Sequence, residues 1–583
     1  MVKELWYEIK HPGDYRVISE QYGVSPAMAR LLVNRILSAD HLSGDPLPSA
    51  DQVREYLSPD IACIYSYEGI PDIDKAVDIL CSVIDENKKL RVIGDYDIDG
   101  VCSTYILASA LSKAGALVDH SIPHRITDGY GLNDRLIKEA SGSGIDCVIT
   151  CDNGISAAAQ VKLAHELGMK VIVTDHHEVP YHMEGEDRIE DMPEADAVVD
   201  IKRSESTYGF SELCGAVVAF KVIAALYERL GIPREETEEY IELAAFATIG
   251  DVMPLKGENR AIVAAGLKRL SHTSNPGMQA LIRAQGIENT EIKPYHVGFI
   301  LGPCINATGR LATADNAFEL LAAKSPSEAE RIAGMLVAMN NDRKAMTDKG
   351  LKKAAEIAGS ADFVKDKVLV VYLPDTHESV AGIIAGKLRE QTGKPAFVLT
   401  DGENVIKGSG RSIEEYDMHK AMTDTAELYD KFGGHKMAGG LSLKDGVTPE
   451  MMRERLNSIC TLSEDDLAIK IHFDMQLPVS YADMALVSDM MRLEPFGVGN
   501  PRPLFAAKDV TLRNINIYGG AGNVLKCLAE DRYGSTCSAV YFGDAGALSA
   551  YAKSQGKIKI LYYPEINEYK GNRTLQLRIN NYC

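Results

Sequence analysis

The sequence predicts an α/β protein. Its largest part reads as a doubly wound, mostly parallel sheet, followed by a long connecting helix, a second α/β unit and a small OB-like β-barrel. Three patterns carry this. Between residues 90 and 200, short β-branched runs alternate with segments of helical period. From about 326 to 359 a helical pattern runs nearly unbroken. Beyond Pro495, five short β-rich stretches appear with few helices between them.

Residues 1–85 read as helical, with Ser25 capping "PAMARLLVNRIL" and a loop, "LSGDPLPSADQ", rich in Gly, Pro and Ser. Residues 86–325 hold the parallel sheet. Its strands are "LRVIG", "ALVDHSI", "DCVITC", "KVIVTD" and "ADAVVD"; its helices include "STYILASALSKAGA" and "SAAAQVKLAHELG". The connecting helix, 326–359, is expected to start on a capping box from Ser327 to Glu330. Residues 360–465 form the second α/β unit, with strands "KVLVVYL" and "PAFVLT" followed by "KGSGRS" and "FGGHKMAGG". Residues 466–583 form the barrel, with strands near 510–517, 523–529, 536–542, 558–563 and 574–580.

Composition narrows the function. A length of 583 residues allows several cores, and 45% apolar with 25% charged residues is ordinary for globular chains. The start, "MVKELWYEIKHPGDY", lacks the apolar stretch of a secretory signal. "CGAVVAFKVIAALYERLG" meets charge before membrane-spanning length. The chain is therefore expected to be soluble and cytoplasmic, with no membrane partner. Eleven cysteines without a CxxC pair fit reduced core thiols rather than disulfides or zinc. A net charge of -21 argues against coating nucleic acid by bulk attraction, yet residues 508–583 carry ten Lys or Arg against six Asp or Glu.

The chemistry concentrates at strand ends. "RVIGDYDIDGVCST" places Asp95, Asp97 and Asp99 directly after an apolar run. An EF-hand loop would need Glu at the twelfth position, which is Ile106, and would lie between helices rather than after a strand. A solvated turn with capping aspartates explains the hexapeptide alone. Further groups recur at successive element ends: Asp152 after "DCVITC", Asp175, His176 and His177 closing "KVIVTD", and Asp251 after an apolar helix. In a doubly wound sheet these ends share one rim. So many carboxylates require cations to offset their repulsion, and oxygen ligands with an imidazole suit Mn²⁺ or Mg²⁺, tilting toward Mn²⁺.

"GDYDIDG", "CDNG", "TDHH" and "ATIGDVMPL" resemble the four motifs of the DHH phosphoesterases. The resemblance continues through "IPHRITDGYGLN", "INATGR", the "GSGRS" and "GGHKMAGG" signature of the accessory DHHA1 domain, and "PFGVGNPRPLF" leading into the barrel. Order and length are similar to the single-strand-specific 5′ to 3′ DNA exonucleases of that family. Four stretches depart from the family pattern: Ile93 stands for a frequent His, Asp200-Ile201 for Asn-Pro, "HESVAG" for an HEGVVG-like stretch, and Val524, Leu525, Lys526 for HLK. None removes a principal metal ligand.

The resemblance implies two-metal phosphodiester hydrolysis of single-stranded DNA to mononucleotides, in repair and recombination. It implies Asp152 as the bridge between two Mn²⁺ or Mg²⁺ ions. Asp97, Asp99, His176 and Asp251 complete the ligands, and Asp95 and Asp175 support them from behind. His177 would touch the scissile phosphate or orient its neighbour. Arg125, and Asn306 and Arg310 of "INATGR", would capture a 5′ phosphate, the two arginines lying in turn-like stretches. Ser409, Gly410, Arg411, Gly433, Gly434 and His435, with Lys436, would cradle successive phosphates on bare amides and side chains. The barrel, with Lys526, Arg532, Arg573 and Arg578, would extend the strand path. A monomer working beside a helicase and a single-strand-binding protein is the implied setting. The alternative is a DHH phosphodiesterase acting on short oligonucleotides or cyclic dinucleotides, whose relatives generally lack the barrel; a catalytically silent scaffold would have lost the ligands.

Overall fold

A computed structural model describes residues 3–11, 14–37, 48–125, 127–402, 405–520, 522–569 and 571–583. The chain divides into two compact units. One comprises Trp6–Gln279, Ile287–Gly302 and His472–Cys583; the other comprises Ala280–Gly286 and Pro303–Ile471 with the first residues to Leu5. Among the described residues no helix is long and apolar enough to cross a membrane.

The N-terminal segment is not helical throughout. It opens on strand β1 (Glu4–Glu8) and continues through helices Tyr15–Tyr22, Pro26–Ile36, Ala50–Leu57 and Ile73–Asp85. Ser25 caps the second of these, its hydroxyl accepting from Met28 N at 3.2 Å. Of the expected loop, residues 42–47 lie outside the described residues, whereas residues 50–52 belong to a helix started by a capping box on Ser49.

The parallel sheet follows from near-continuous apolar runs, which suit strands covered on both faces. Its strands are β2 (Lys89–Ile93), β3 (Leu117–Ser121), β4 (Cys147–Thr150) and β5 (Lys170–Asp175). After a small hairpin, β6 (Tyr181–Glu184) and β7 (Asp187–Glu190), comes β8 (Ala197–Asp200). The order is β3-β2-β4-β5-β8, parallel throughout. Helices Asp134–Gly142 and Ala158–Glu166 pack on one face through Leu136, Ile137 and Val161. Helices Ile98–Lys113 and Gly215–Leu230 cover the other. All five carboxyl ends therefore meet on one rim.

In the other unit, the helix Pro326–Ala358 is capped by Ser325, whose hydroxyl accepts from Glu328 N at 3.3 Å. Ser327 thus sits inside the first turn rather than capping it, because Pro326 fits the first helical position and makes the residue before it the cap. Five strands build this unit's sheet: β9 (Leu369–Tyr372), β10 (Ala396–Asp401), β11 (Ile406–Arg411), β12 (Tyr429–His435) and β13 (Ala438–Leu443). Their order is β12-β13-β11-β10-β9, with only β9 and β10 parallel. "GSGR" is thus a central strand paired on both sides, not a loop.

After β14 (Ile469–Phe473) come β15 (Met475–Gln476), β16 (Phe505–Tyr518), β17 (Val524–Glu530), β18 (Thr536–Phe542), β19 (Ile558–Tyr569) and β20 (Asn572–Tyr582). β16 pairs with both β17 and β19, which closes the barrel. A helix, Ala545–Gln555, lies between β18 and β19. The barrel shares one core with the N-terminal helices: Ile18, Met28, Leu31 and Leu32 pack with Leu525, Ile560 and Tyr562. A buried Arg35–Asp474 ion pair at 2.8 Å reinforces that junction.

Candidate metal centre

The rim gathers the acidic and imidazole groups. Asp97 caps helix Ile98–Lys113, one oxygen accepting from Asp99 N at 3.0 Å and Gly100 N at 3.1 Å. Asp99 lies in that helix's first turn, yet its carboxylate faces another helix start. It accepts from Gly215 N at 2.6 Å and Ala216 N at 2.8 Å, where the helix dipole favours an anion. Gly215 permits this approach: a Cβ there would stand 2.7 Å from Asp152 Cβ and 3.0 Å from Asp99 Oδ2. Asp152 follows β4 in the left-handed region, φ 60°, a conformation few non-glycine residues adopt.

His176 Nε2 faces three carboxylates, at 3.1 Å from Asp152, 3.6 Å from Asp99 and 3.9 Å from Asp251. His177 turns the other way. Its Nδ1 lies 2.7 Å from Asp175 Oδ1, and that oxygen also accepts from the backbone N–H of His176 and His177. Asp175 Oδ2 accepts from Ile155 N at 2.9 Å, so both its oxygens are engaged within the protein.

Three overlapping ligand sets result, in each of which one atom per residue lies within 4.8 Å of the others. They are Asp95 with Asp97 and Asp152; Asp99 with His176 and Asp251; and Asp152 with His176 and His177. Asp95 accordingly stands among the candidate ligands instead of behind them. Its Oδ1 accepts from Gly131 N at 3.2 Å, while its Oδ2 is buried without a hydrogen-bond partner among the described residues. Asp175 belongs to none of the three sets.

Electrostatics agrees with a cation-binding role. Burial, then the neighbouring Asp97, pushes the Asp95 carboxyl up to about 8. Burial and the adjacent carboxylates raise Asp97, Asp152 and Asp251 as well. Burial holds His176 below its usual value, as a neutral metal ligand requires. His177 behaves oppositely: burial would lower it, but the bond to Asp175 carries it up to about 9. Asp175, although buried, is held below the usual carboxylate range by His177. An orphaned buried oxygen, mutually repelling acids and an imidazole aimed among them fit divalent cations.

Two participants lie inside stretches legible in the sequence without marking themselves there as site residues. Tyr130 donates to the Asp152 carbonyl at 2.9 Å and lies 3.1 Å from His177 Nε2. Gly215 was legible only as the start of an apolar helix. Asp200, which stands where the family pattern has Asn, pairs in register with Asp175, and burial pushes its carboxyl up to about 7.

The phosphate-binding candidates are spread over both units. Arg125 lies over the Tyr96 ring, 4.9 Å from its centroid, in the unit that holds the metal cluster. Asn306 and Arg310 are on a helix, Gly302–Leu311, rather than in a turn, since a single interior glycine does not break a helix. Arg310 donates to the Ser379 carbonyl at 2.7 Å. Within β11 the backbone amides serve the ladder on both sides, so the expected bare-amide cradle does not exist there. Gly410 is packed: a Cβ would meet Met418 Sδ at 2.4 Å. Gly433 and Gly440, paired in register beside Ser409, meet nothing within 4 Å. Gly434, at φ 140°, and exposed His435 complete the edge strand.

A parallel-sheet rim bearing "DYDID", "DN" and "DHH" acids, with a DHHA1-like sheet and a barrel, defines a phosphoesterase of the DHH class. The DHH family N-terminal domain matches residues 89–248, the DHHA1 domain 365–464 and the RecJ OB domain 473–581. The single-stranded-DNA-specific exonuclease RecJ of Bacillus subtilis strain 168 is 32% identical over 587 residues, covering 100% of this chain and 71% of the relative. That of Escherichia coli strain K12 is 30% identical, covering 88% of this chain and 91% of the relative. The chain belongs to the RecJ family. The crystal structure of RecJ with Mn²⁺ from Thermus thermophilus superposes with a TM-score of 0.79 at 26% identity, covering 100% of this chain and 80% of that one.

Proposed function

We propose that this chain is a metal-dependent exonuclease that degrades single-stranded DNA from its 5′ end to mononucleotides, in DNA repair and recombination. The observation that carries the reading is the overlap of three ligand sets on one rim, with Asp152 and His176 each shared by two of them. Asp97, Asp99, Asp152, His176 and Asp251 would hold two Mn²⁺ or Mg²⁺ ions, with Asp95 beside them. Two ions held by these residues would supply Lewis-acid activation of a water and neutralisation of charge on the phosphate.

The chain's own groups do the rest. Asp175 keeps a proton on His177, which donates toward the phosphate, and Tyr130 holds both His177 and the Asp152 backbone in place. For the 5′-terminal phosphate, the candidates are Arg125 in the unit that holds the metal cluster and, in the other unit, Asn306 with Arg310. Ser409, Arg411 and His435, with the open backbone at Gly433 and Gly440, receive the strand on the DHHA1 sheet. An enzyme confined to single strands depends on a helicase to open duplex and meets strands covered by a single-strand-binding protein; it works as a cytoplasmic monomer.

The test uses purified protein with Mn²⁺ and strands labelled at either end. Mononucleotides should leave the 5′-labelled single strand first, with matching duplex intact. Preferential hydrolysis of dinucleotides or cyclic dinucleotides would replace this reading with the small-substrate one.

A further inference from the structure

We infer that Asn259 is a positioning residue for the metal centre: its buried carboxamide clamps the turn that follows Asp251 to the turn that precedes Gly215, and so fixes Asp251 against the donors that hold Asp99. This rests on the two-metal reading and adds to it the side chain that sets the spacing of two ligands. Asn259 belongs to "GENR", residues 257–260, which opens helix Gly257–Leu270. Glu258, Asn259 and Arg260 are 0%, 0% and 2% exposed. Consecutive polar side chains buried this fully need partners, and each finds them on different elements.

Asn259 Nδ2 donates to the Pro254 carbonyl at 3.1 Å and to the Glu212 carbonyl at 2.5 Å. Pro254 closes the turn that Asp251 opens. Within that turn Val252, a β-branched residue, stands at φ 62°, a strained conformation that persists only where its surroundings enforce it. The Asn259 bond is one enforcement; others are Met253 N donating to the Thr248 carbonyl at 3.0 Å and Leu255 N to the Val498 carbonyl at 2.7 Å. Glu212 leads into Gly215, whose N–H, with that of Ala216, holds the Asp99 carboxylate. Gly215 also packs so closely on Asp152 that a small shift of this turn would disturb both acids.

The neighbours of Asn259 brace the same junction from either side. The Glu258 carboxylate accepts from Lys221 Nζ, from Tyr65 N at 3.0 Å and from the Tyr208 hydroxyl at 2.6 Å, and Lys221 lies on the helix that Gly215 starts. Arg260 turns away, donating to the carbonyls of Tyr56, Leu493 and Glu494. Asn259 is therefore the member of the motif that bonds to both turns. Its own oxygen, Oδ1, is buried without a hydrogen-bond partner among the described residues. An orphaned oxygen is costly, so what favours this side chain here is what its nitrogen holds.

The test measures Mn²⁺ binding to the full-length protein by calorimetry, without DNA, beside thermal unfolding in EDTA and in Mn²⁺. Asn259→Ala should weaken Mn²⁺ binding about 10–100-fold, as loss of a group that orients ligands does, and should shrink the rise in melting temperature that Mn²⁺ produces. Asn259→Ser, which keeps one donor, should fall between, and it carries the test if the alanine variant does not fold. Leu548→Ala, a cavity in the barrel core, should lower the melting temperature in EDTA yet leave Mn²⁺ affinity within about twofold of wild type. Wild-type Mn²⁺ affinity in a folded Asn259 variant would make the residue merely structural and overturn the inference alone. An equal loss of affinity in Leu548→Ala would overturn it too, since any destabilisation would then suffice. A wild-type protein that binds no Mn²⁺ would overturn the two-metal reading, and the inference with it.

Discussion

Asp152 Oδ1 and His176 Nε2 lie 3.1 Å apart, at the point where the candidate ligand sets overlap. Asp152 is buried in a left-handed backbone conformation, and the remaining nitrogen of His176 is buried without a partner among the described residues. Asp152→Asn should therefore lower exonuclease rate by at least about 10²–10³-fold, as loss of a preorganised charge does. The melting temperature in EDTA should stay level or rise, because a repelling buried charge is gone. Retained cleavage would refute the bridging role.

Burial, and after it the same repulsion, sets a pH dependence. Asp95, at about 8, and Asp97, Asp152 and Asp251, all raised, bind protons in the folded state that the unfolded chain releases near 3.8. The metal-free protein should lose stability as pH rises from about 5 to about 8. His177, raised to about 9, adds to the loss above its unfolded value of 6.5. His176, lowered by burial, opposes it as one group against several. Melting curves in EDTA should fall across this window, and excess Mn²⁺ should flatten them. A flat or rising EDTA profile would contradict the account.

Tyr130 ties His177 to the Asp152 backbone. Tyr130→Phe removes one hydroxyl and no packing. The expected cost is about 10–100-fold in activity or in the Mn²⁺ concentration required, since outer groups orient ligands by this much. Titrating Mn²⁺ against rate would detect it; an unchanged midpoint and rate would leave Tyr130 without a role.

Gly410 and Gly440, on adjacent strands of the DHHA1 sheet, should respond in opposite ways. A Cβ at Gly410 meets Met418 Sδ at 2.4 Å and Phe397 at 2.7 Å. Gly410→Ala should cost about 1–3 kcal/mol through overpacking. Gly440 has nothing within 4 Å, so Gly440→Leu should leave the urea midpoint nearly unchanged. It should nonetheless weaken single-strand binding about tenfold by filling the open face. Equal destabilisation by both would make Gly440 a structural glycine.

The parallel sheet and its acids were legible because buried parallel strands spell themselves as apolar runs, and topology then fixes which ends meet. "DCVITC" and "KVIVTD" needed no tertiary knowledge to place Asp152 and Asp175 on one rim. Other features depend on contacts that sequence spacing does not encode. Asp99 finds its donors at Gly215 and Ala216, more than a hundred residues away. The N-terminal helices pack on a barrel from the opposite end of the chain. "GSGR" resists strand propensity, and only its pairing on both sides with β10 and β13 makes it a strand.

The most direct measurement is anomalous diffraction at the manganese edge from crystals grown with Mn²⁺. Two peaks are predicted among Asp95, Asp97, Asp99, Asp152, His176 and Asp251, with Asp152 facing both. An absence of peaks there, with those side chains still in place and Mn²⁺ bound elsewhere or nowhere, would contradict the account.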